Sequence, residues 1–556
     1  MRYRGLAFCA AIGAIFVAVP EAAVALPTCA ELATNPTYGL AGNPQVSGLT
    51  AALQPASGQT TPYCRVDFIF SGESGPSAGY LTGQSQRLVI RVGLPPNSVD
   101  ITNPVAVGAV PWNGRNRDIG GGGFQGAVGA VTSSTNLGYV GTSTDTGHTG
   151  GSGSFALNPD GTLNYGLIED FASDGIHEQH VWGVNLAVAY YGTAPTRKYW
   201  MGCSTGGRQG HYQAQNFPRD FDGILAGANA YNWDRFITAE LWPQVVMNQE
   251  LGAPIASAKL NAVTNAAVAA CDAQDSIPGD GIIQDPRACT YSAKSFLCTA
   301  YGGSSSDPNC LNPREVSAVN HIWDGPRDAQ GNRVWYGLDR GASLSGGLAG
   351  TNPFSIATDH FRYWIYQNAS FDWHTVTEAS FVNDMLTSIA KFNDVIGTDD
   401  DLNAFHAAGG KMITYHGLAD QLIFSRGTYH YYNTVAQGNY ADTQTFYRFF
   451  PYPGNAHCGG GTGPQINAEA LFSTLVSWVE NGVAPDFVVA SQTTPVARTR
   501  KICMYPNVLV YNGSGSPDDQ TSFHCEVRNA DSLSGTLTIG PQYETSTKAN
   551  TDPGPD

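Results

Sequence analysis

Charge is scarce in this chain, and positive charge scarcest. Asp, Glu, Lys and Arg together make up 13% of the residues, against roughly 25% in ordinary soluble domains. The 29 Lys and Arg face 46 Asp and Glu, a formal net charge of -17, which repels polyanions and excludes nucleic acid as a partner. Beyond the N-terminus no apolar run approaches the roughly 20 residues of a spanning helix, so no stable membrane association is expected. There is no C-x-x-C pair, the usual sign of zinc or thiol-redox chemistry. Internal repeats and heptads are missing too. Glycine is abundant, with 65 among 556 residues, and it points to a loop-rich protein.

The N-terminus has a three-part pattern: basic "MRYRG", apolar "LAFCAAIGAIFVAV", then the small-x-small site Ala23-Val24-Ala25. This is the grammar of a secretory signal peptide, so residues 1–25 are expected to be removed and the mature chain to be secreted or periplasmic. Of the 11 cysteines, Cys9 leaves with the leader. An even set of ten in an exported protein reads as disulfides. Proximity favours Cys29–Cys64, Cys271–Cys289, Cys298–Cys310 and Cys503–Cys525, which leaves Cys203 and Cys458 for each other.

Strands and helices alternate in two separated stretches. "RLVIRVGLP" and "RKYWMG" read as strands, "DIGGGGFQGAVG" as strand, glycine loop and helix start, and "EDFASDGIHEQHVWGVNLAVAYYG" as one helix. "GRQGHYQAQNFP" reads as a helix and "FDGILAGAN" as a strand. The grammar resumes with helix "DDDLNAFHAAGG", strand "KMITY", helix "SRGTYHYYNTVAQG", strand "TFYRFF" and helix "AEALFSTLVSWVENG". Such alternation predicts an α/β fold with a mostly parallel sheet. The text between is rich in cysteine and aromatics and predicts an inserted lid. The expected division is a core of residues 26–229, a lid of 230–398, and the rest of the core in 399–556.

Gly202-Cys203-Ser204-Thr205-Gly206 lies between a predicted strand and a predicted helix, the pattern of a nucleophile elbow. A serine nucleophile needs a base, and the base an orienting acid. In α/β-hydrolases these follow in the order Ser, acid, His on loops after later strands. Asp420 follows "KMITY" and His457 follows "TFYRFF", so order and context agree. His148, His416 and His430 compete for the base, and His416 could brace the aspartate loop. The cysteines decide between them. If Ser204 and His457 are within reach, their neighbours Cys203 and Cys458 can meet the Cα separation of about 4.4–6.8 Å that a disulfide requires.

"GCSTGG", "HGLAD" and "HCGGG" resemble the tannase/feruloyl esterase family, whose members carry a Cys-Ser, Asp, His-Cys arrangement. The likeness covers nearly the whole mature chain. It implies an α/β-hydrolase core with a lid, and hydrolysis of esters of aromatic acids. Carried over residue by residue, it implies catalytic Ser204, Asp420 and His457 with the Cys203–Cys458 disulfide between them. One oxyanion-hole N–H is expected from Thr205, directly after the nucleophile; the family pattern points to Gly123 for the other. Gly121-x-Gly123-x-x-Gly126 with Asp145 also spells a dinucleotide fingerprint, but a lone match is weak, and no organic cofactor is expected. "HEQH", His177 to His180, has its histidines three apart, where zinc proteases need four.

"CDAQDSIPGDGIIQD" reads as a hard-cation loop built on Asp272, Asp275 and Asp280. The resemblance implies structural calcium there, with the carbonyls of Ile277 and Ile282 completing the shell, although this chain carries one extra residue around Pro278-Gly279. The expected substrate is a plant-derived or other small aromatic ester, hydroxycinnamic or galloyl. Lid residues Trp323, Trp335, Tyr336, Trp364, Tyr366 and Trp373 could stack on its ring, although most of them are expected to be lid core. No arginine lies between Arg362 and Arg426, so a bidentate carboxylate clamp is not visible there, and Lys391 is the substitute. A secreted calcium-dependent binding protein with an inactive triad is the alternative from another class. Oligomeric state stays open.

Overall fold

Strand-forming runs of two kinds build two adjoining sheets. The computed structural model describes residues 25–71, 87–301, 307 and 309–544. The leader up to Val24 lies outside the described residues. In chain order the strands of the two sheets are β1 (Val46–Gln54), β2 (Tyr63–Phe70), β3 (Leu88–Leu94), β4 (Arg115–Ile119), β5 (Gly141–Thr144), β6 (Arg197–Cys203), β7 (Gly223–Gly227), β8 (Lys411–Gly417) and β9 (Tyr447–Tyr452). One sheet is antiparallel in the order β1-β2-β3-β5, and the other is parallel in the order β4-β6-β7-β8-β9. A bridge from Asn116 to Val140 joins them.

The two-residue period of a strand decides what each face of the parallel sheet holds. Trp200, Ile224 and Met412 belong to the larger core on one side. Their neighbours Tyr199, Leu225 and Ile413 pack on the other side with Leu471, Phe472, Leu475 and Trp478 of the helix Ala468–Asn481. The helix Thr205–Asn216 adds Tyr212 and Ala214 to the larger core. With helices on both faces, β7 is buried at every position, as expected of a central parallel strand. Parallel order and flanking helices make this an α/β-hydrolase-like sheet.

Three elements differ from expectation. No helix begins in the glycine loop after β4, where Gly123 and Gln125 take φ of 56° and 58°; left-handed residues close turns and do not continue helices. The expected long helix is two, Tyr165–Ala172 and Asp174–Tyr191, meeting at Ser173, whose φ of -150° breaks the run. The helix before β8 shrinks to Asn403–Ala407. In addition, "RLVIRVGLP" forms β3, but in the antiparallel sheet.

β7 and β8 are neighbours in space, yet the chain between them runs from 228 to 410. That excursion contains the helices Trp233–Ala239, Trp242–Leu251, Ser257–Asp272, Pro313–Asp324 and Glu378–Ile396, and no strand of any sheet among the described residues. Its aromatics share one continuous core with the parallel sheet: Trp364 packs on Phe124, Phe155 and Trp233. After β9 come two hairpins, β10 (Phe487–Gln492) with β11 (Arg498–Cys503) and β12 (Val508–Tyr511) with β13 (Phe523–Glu526). All five expected disulfides are present. No helix among the described residues is long and apolar enough to cross a membrane.

Candidate active site

Ser204 stands between the end of β6 and the first turn of the helix Thr205–Asn216, with φ 63° and ψ -125°. A non-glycine residue held there is strained, and such strain concentrates at functional sites. The turn is possible because its glycines allow close approach. A Cβ on Gly202 would lie 2.5 Å from the Gly206 backbone, and one on Gly206 would lie 3.0 Å from the Gly121 carbonyl. The Ser204 N–H donates to the Gly227 carbonyl (2.9 Å), pinning the turn to β7.

Asp420 lies in the loop after β8 and is buried. Its Oδ1 accepts from the N–H groups of Leu422 (2.8 Å) and Ile423 (2.9 Å). Its Oδ2 meets His457 Nδ1 at 2.8 Å and His416 Nε2 at 3.1 Å. Burial alone would raise the Asp420 carboxyl, but the two imidazoles outweigh it and hold the group well below the usual carboxylate range. His416 braces the aspartate as expected, and its Nδ1 is 2.7 Å from the Thr428 hydroxyl. For His457, burial pulls towards the neutral ring, while the charge and hydrogen bond of Asp420 reverse that and leave the group raised.

Cys203 and Cys458 join the Ser204 turn to the His457 loop, with a Cα separation of 6.0 Å. Ser204 and His457 thereby line one cavity of about 360 Å³. Among the described residues' hydrogen bonds the two share none; such bonds are often long before substrate arrives. Gly123 and Thr205 line the same cavity, and neither backbone N–H has a partner among the described residues. The Thr205 hydroxyl donates to the Gly123 carbonyl at 2.6 Å, which couples the two loops.

The remaining wall is apolar apart from Glu240, and sequence reasoning missed it. Trp233, Phe236 and Ile237 come from the helix just after β7, and Phe354 and Ile356 from later in the insertion. The available signal was position, since ligands collect beyond the carboxyl ends of parallel strands. The six lid aromatics do not line the cavity. Trp323, Trp335, Tyr336 and Trp364 are buried core, Tyr366 is 41% exposed and stacks on Phe371, and Trp373 stacks on His374. Lys391 donates to the Ile365 carbonyl and Gln367, away from the cavity lining.

The other candidates fall to structural roles. His148 Nε2 is 2.7 Å from the Phe124 carbonyl, and His430 Nε2 is 2.9 Å from Glu544. His177 pairs with Asp220 and His180 with Asp118, so "HEQH" gathers no metal. Asp145 accepts from the Val89 N–H. In the acidic loop, Asp272 accepts from the amides of Gly279, Asp280 and Gly281, Asp275 from Ile277 and Gln284, and Asp280 from Ile282. Arg498 and Arg500 also reach Asp280. Among the described residues, the acid–histidine group whose ligand atoms all lie within 4.8 Å is a different one, Glu250, His321 and Glu378.

A parallel α/β sheet with a strained serine at one strand end, and a histidine–aspartate pair on the loops after later strands, places the molecule in the α/β-hydrolase class. Comparison with known proteins narrows the class. Residues 89–526 match the family model described as "Tannase and feruloyl esterase". A probable feruloyl esterase of Arthroderma benhamiae is 34% identical over 439 residues, covering 74% of this chain and 80% of that one. The crystal structure of feruloyl esterase B from Aspergillus oryzae superposes with a TM-score of 0.75 at 27% identity, covering 90% of this chain and all of that one. Tannin acyl hydrolase from Aspergillus niger shares the fold at the same TM-score and 22% identity. The chain belongs to the tannase and feruloyl esterase family and is a carboxylic ester hydrolase.

Proposed function

We propose that this enzyme hydrolyses esters of aromatic acids, feruloyl esterase-like in preference, through an acyl-enzyme on Ser204. The observation that carries the reading is the His457–Asp420 bond in the wall of the cavity that also presents Ser204. His457 takes the Ser204 proton as the hydroxyl attacks the ester carbonyl. The N–H groups of Gly123 and Thr205 stabilise the tetrahedral anion. His457 then protonates the departing alcohol, and water repeats the sequence on the acyl-enzyme. Asp420 holds the imidazole tautomer and stabilises its protonated form.

The apolar wall of Trp233, Phe236 and Phe354 suits an aromatic ring, and its lining includes no lysine or arginine to hold a free carboxylate. Initial rates on methyl ferulate, methyl gallate and a short-chain p-nitrophenyl ester test the choice. Ferulate over gallate is the expected order; the reverse makes the enzyme a tannase, and no turnover of either aromatic ester removes the reading. Residues 230–398 would act as the lid over a core of 26–229 and 399–556, a division supported by the cavity wall contributed by Trp233, Phe236, Phe354 and Ile356. Export fits the five disulfides, which persist in oxidising compartments.

The Cys203–Cys458 bond closes a long loop, with a sequence separation of 255, and it ties the nucleophile to its base. The Cys203→Ala/Cys458→Ala double variant is expected to lose about 2–5 kcal/mol of stability and most of its activity. A thermal melt alongside the ferulate assay separates the two effects. If the melting temperature falls while the rate per folded molecule is unchanged, the disulfide does not position the pair.

Asp272, Asp275 and Asp280, with the carbonyls of Ile277 and Ile282, would hold calcium as a structural clamp. The donor set fits a hard cation, because it is all oxygen. Burial raises the Asp275 carboxyl and pushes Asp280 up to about 6, with the charge of Asp272 adding to both. A divalent ion would relieve that crowding; Arg500 relieves it in part at both carboxyls and Arg498 at Asp280. Chelation is expected to lower the melting temperature by several degrees, restored by calcium, with little change in initial rate at 25 °C. An unchanged melt rules the clamp out.

A further inference from the structure

One acidic side chain in the cavity is unused by the reaction above. Glu240 caps the helix Trp233–Ala239 and lines the cavity beside Phe236 and Ile237. It is 2% exposed, and its Oε2 has no hydrogen-bond partner. Trp233, on the same helix and in the same wall, also has its indole N–H buried without a partner. Buried polar groups are nearly always paired, so two unpaired ones in an otherwise apolar wall call for an explanation. Among the described residues the Glu240 carboxyl makes no bond that holds the fold, whereas Asp118 and Asp145 are hydrogen-bonded.

Burial, reinforced by the negative charge of Asp420, raises the Glu240 carboxyl well above the ordinary range. A carboxyl group accepts a hydrogen bond from a hydroxyl, and in the protonated form that burial favours it also donates one. A substrate hydroxyl both donates and accepts, so it can pair with the Glu240 carboxyl in either form. An aliphatic or unsubstituted ring would leave the acid unpaired and desolvated, an arrangement that discriminates strongly against the substrate lacking the hydroxyl.

We propose that Glu240 is a specificity-determining residue that binds a phenolic hydroxyl on the ring of the substrate's aromatic acid. This rests on the reading that the aromatic acid occupies this cavity. Glu240 takes no part in the bond-breaking steps.

The test is the selectivity ratio, kcat/KM for methyl 4-hydroxycinnamate over methyl cinnamate, in wild type, Glu240→Gln and Glu240→Leu, with p-nitrophenyl acetate as a third substrate. The wild-type ratio is expected to lie well above one. In Glu240→Leu it falls about 10–100-fold, the cost of a hydroxyl buried without its partner. Glu240→Gln, which keeps a donor and an acceptor, holds it within about threefold. An unchanged ratio in Glu240→Leu overturns the proposal, whether or not both rates fall together. Should the leucine variant not fold, the wild-type ratio still decides: a value near one overturns the proposal while the esterase reading stands. Turnover of p-nitrophenyl acetate with neither cinnamate hydrolysed overturns the aromatic-acid reading and, with it, this proposal.

Discussion

Replacing Ser204 with alanine is expected to lower kcat/KM for methyl ferulate by about 10⁴–10⁶-fold, the range seen when a triad nucleophile is removed. The residual rate would come from the oxyanion donors and binding alone. The protein itself should survive the change. Alanine at φ 63° carries the same backbone strain as serine, and the Ser204 N–H bond to Gly227 is kept. The helix N-terminus loses no cap, since the Ser204 side chain makes no capping bond. The melting temperature should therefore stay within a few degrees while the rate collapses. A variant that keeps a tenth of the wild-type rate would place the nucleophile elsewhere.

Asp420→Asn is expected to cost about 10⁴-fold in kcat, the size of effect a wrong histidine tautomer produces. The reason lies in the two sides of the carboxylate. Oδ1 is committed to the amides of Leu422 and Ile423, so an asparagine would keep its carbonyl oxygen there and turn its NH₂ towards His457 Nδ1. The ring would then carry its proton on Nε2, facing Ser204, and could not act as a base. The pH profile gives an independent reading. With Asp420 ionised the His457 pKa is raised, so neutral base is lost as pH falls through a value above the ordinary 6.5. The acid limb of kcat/KM should lie above pH 6.5 in wild type and move down in the variant, where burial acts without the opposing charge. An acid limb that does not move would remove Asp420 from contact with the titrating base.

The parts of this site that were legible share one property: each is a local pattern. Ser204 is announced by two glycines at fixed offsets, Asp420 and His457 by their positions after strands, and the Cys203–Cys458 pair by cysteines standing directly beside Ser204 and His457. Gly123 came from family resemblance, because nothing in "GGGGFQG" says which of several glycines faces a neighbour 80 residues on. The cavity wall was illegible for a related reason. Trp233 and Phe236 sit on a helix of only seven residues with Glu240 at its C-cap, and which face it turns to the serine depends on how the 228–410 excursion folds back over the sheet. Of the six lid aromatics able to stack on a ring, most are expected as lid core, and none lines the cavity; composition cannot separate core from pocket. Asp280 shows the long-range limit, since Arg498 and Arg500 arrive from a hairpin more than 200 residues away. Among the elements, β1 escaped notice because it is half exposed and interrupted by a register shift between Ser47 and Thr50. The break at Ser173 is marked only by Ser173-Asp174-Gly175, a short turn signal inside an otherwise helical run.

The most direct test of the account is covalent labelling. Wild-type enzyme would be treated with a serine-directed fluorophosphonate, digested and mapped by mass spectrometry, with activity on methyl ferulate followed in parallel. The account predicts one adduct per chain, on the peptide carrying Ser204, formed in step with the loss of activity and absent from Ser204→Ala. Full inactivation with the adduct on another residue, or full activity after stoichiometric labelling of Ser204, would contradict it.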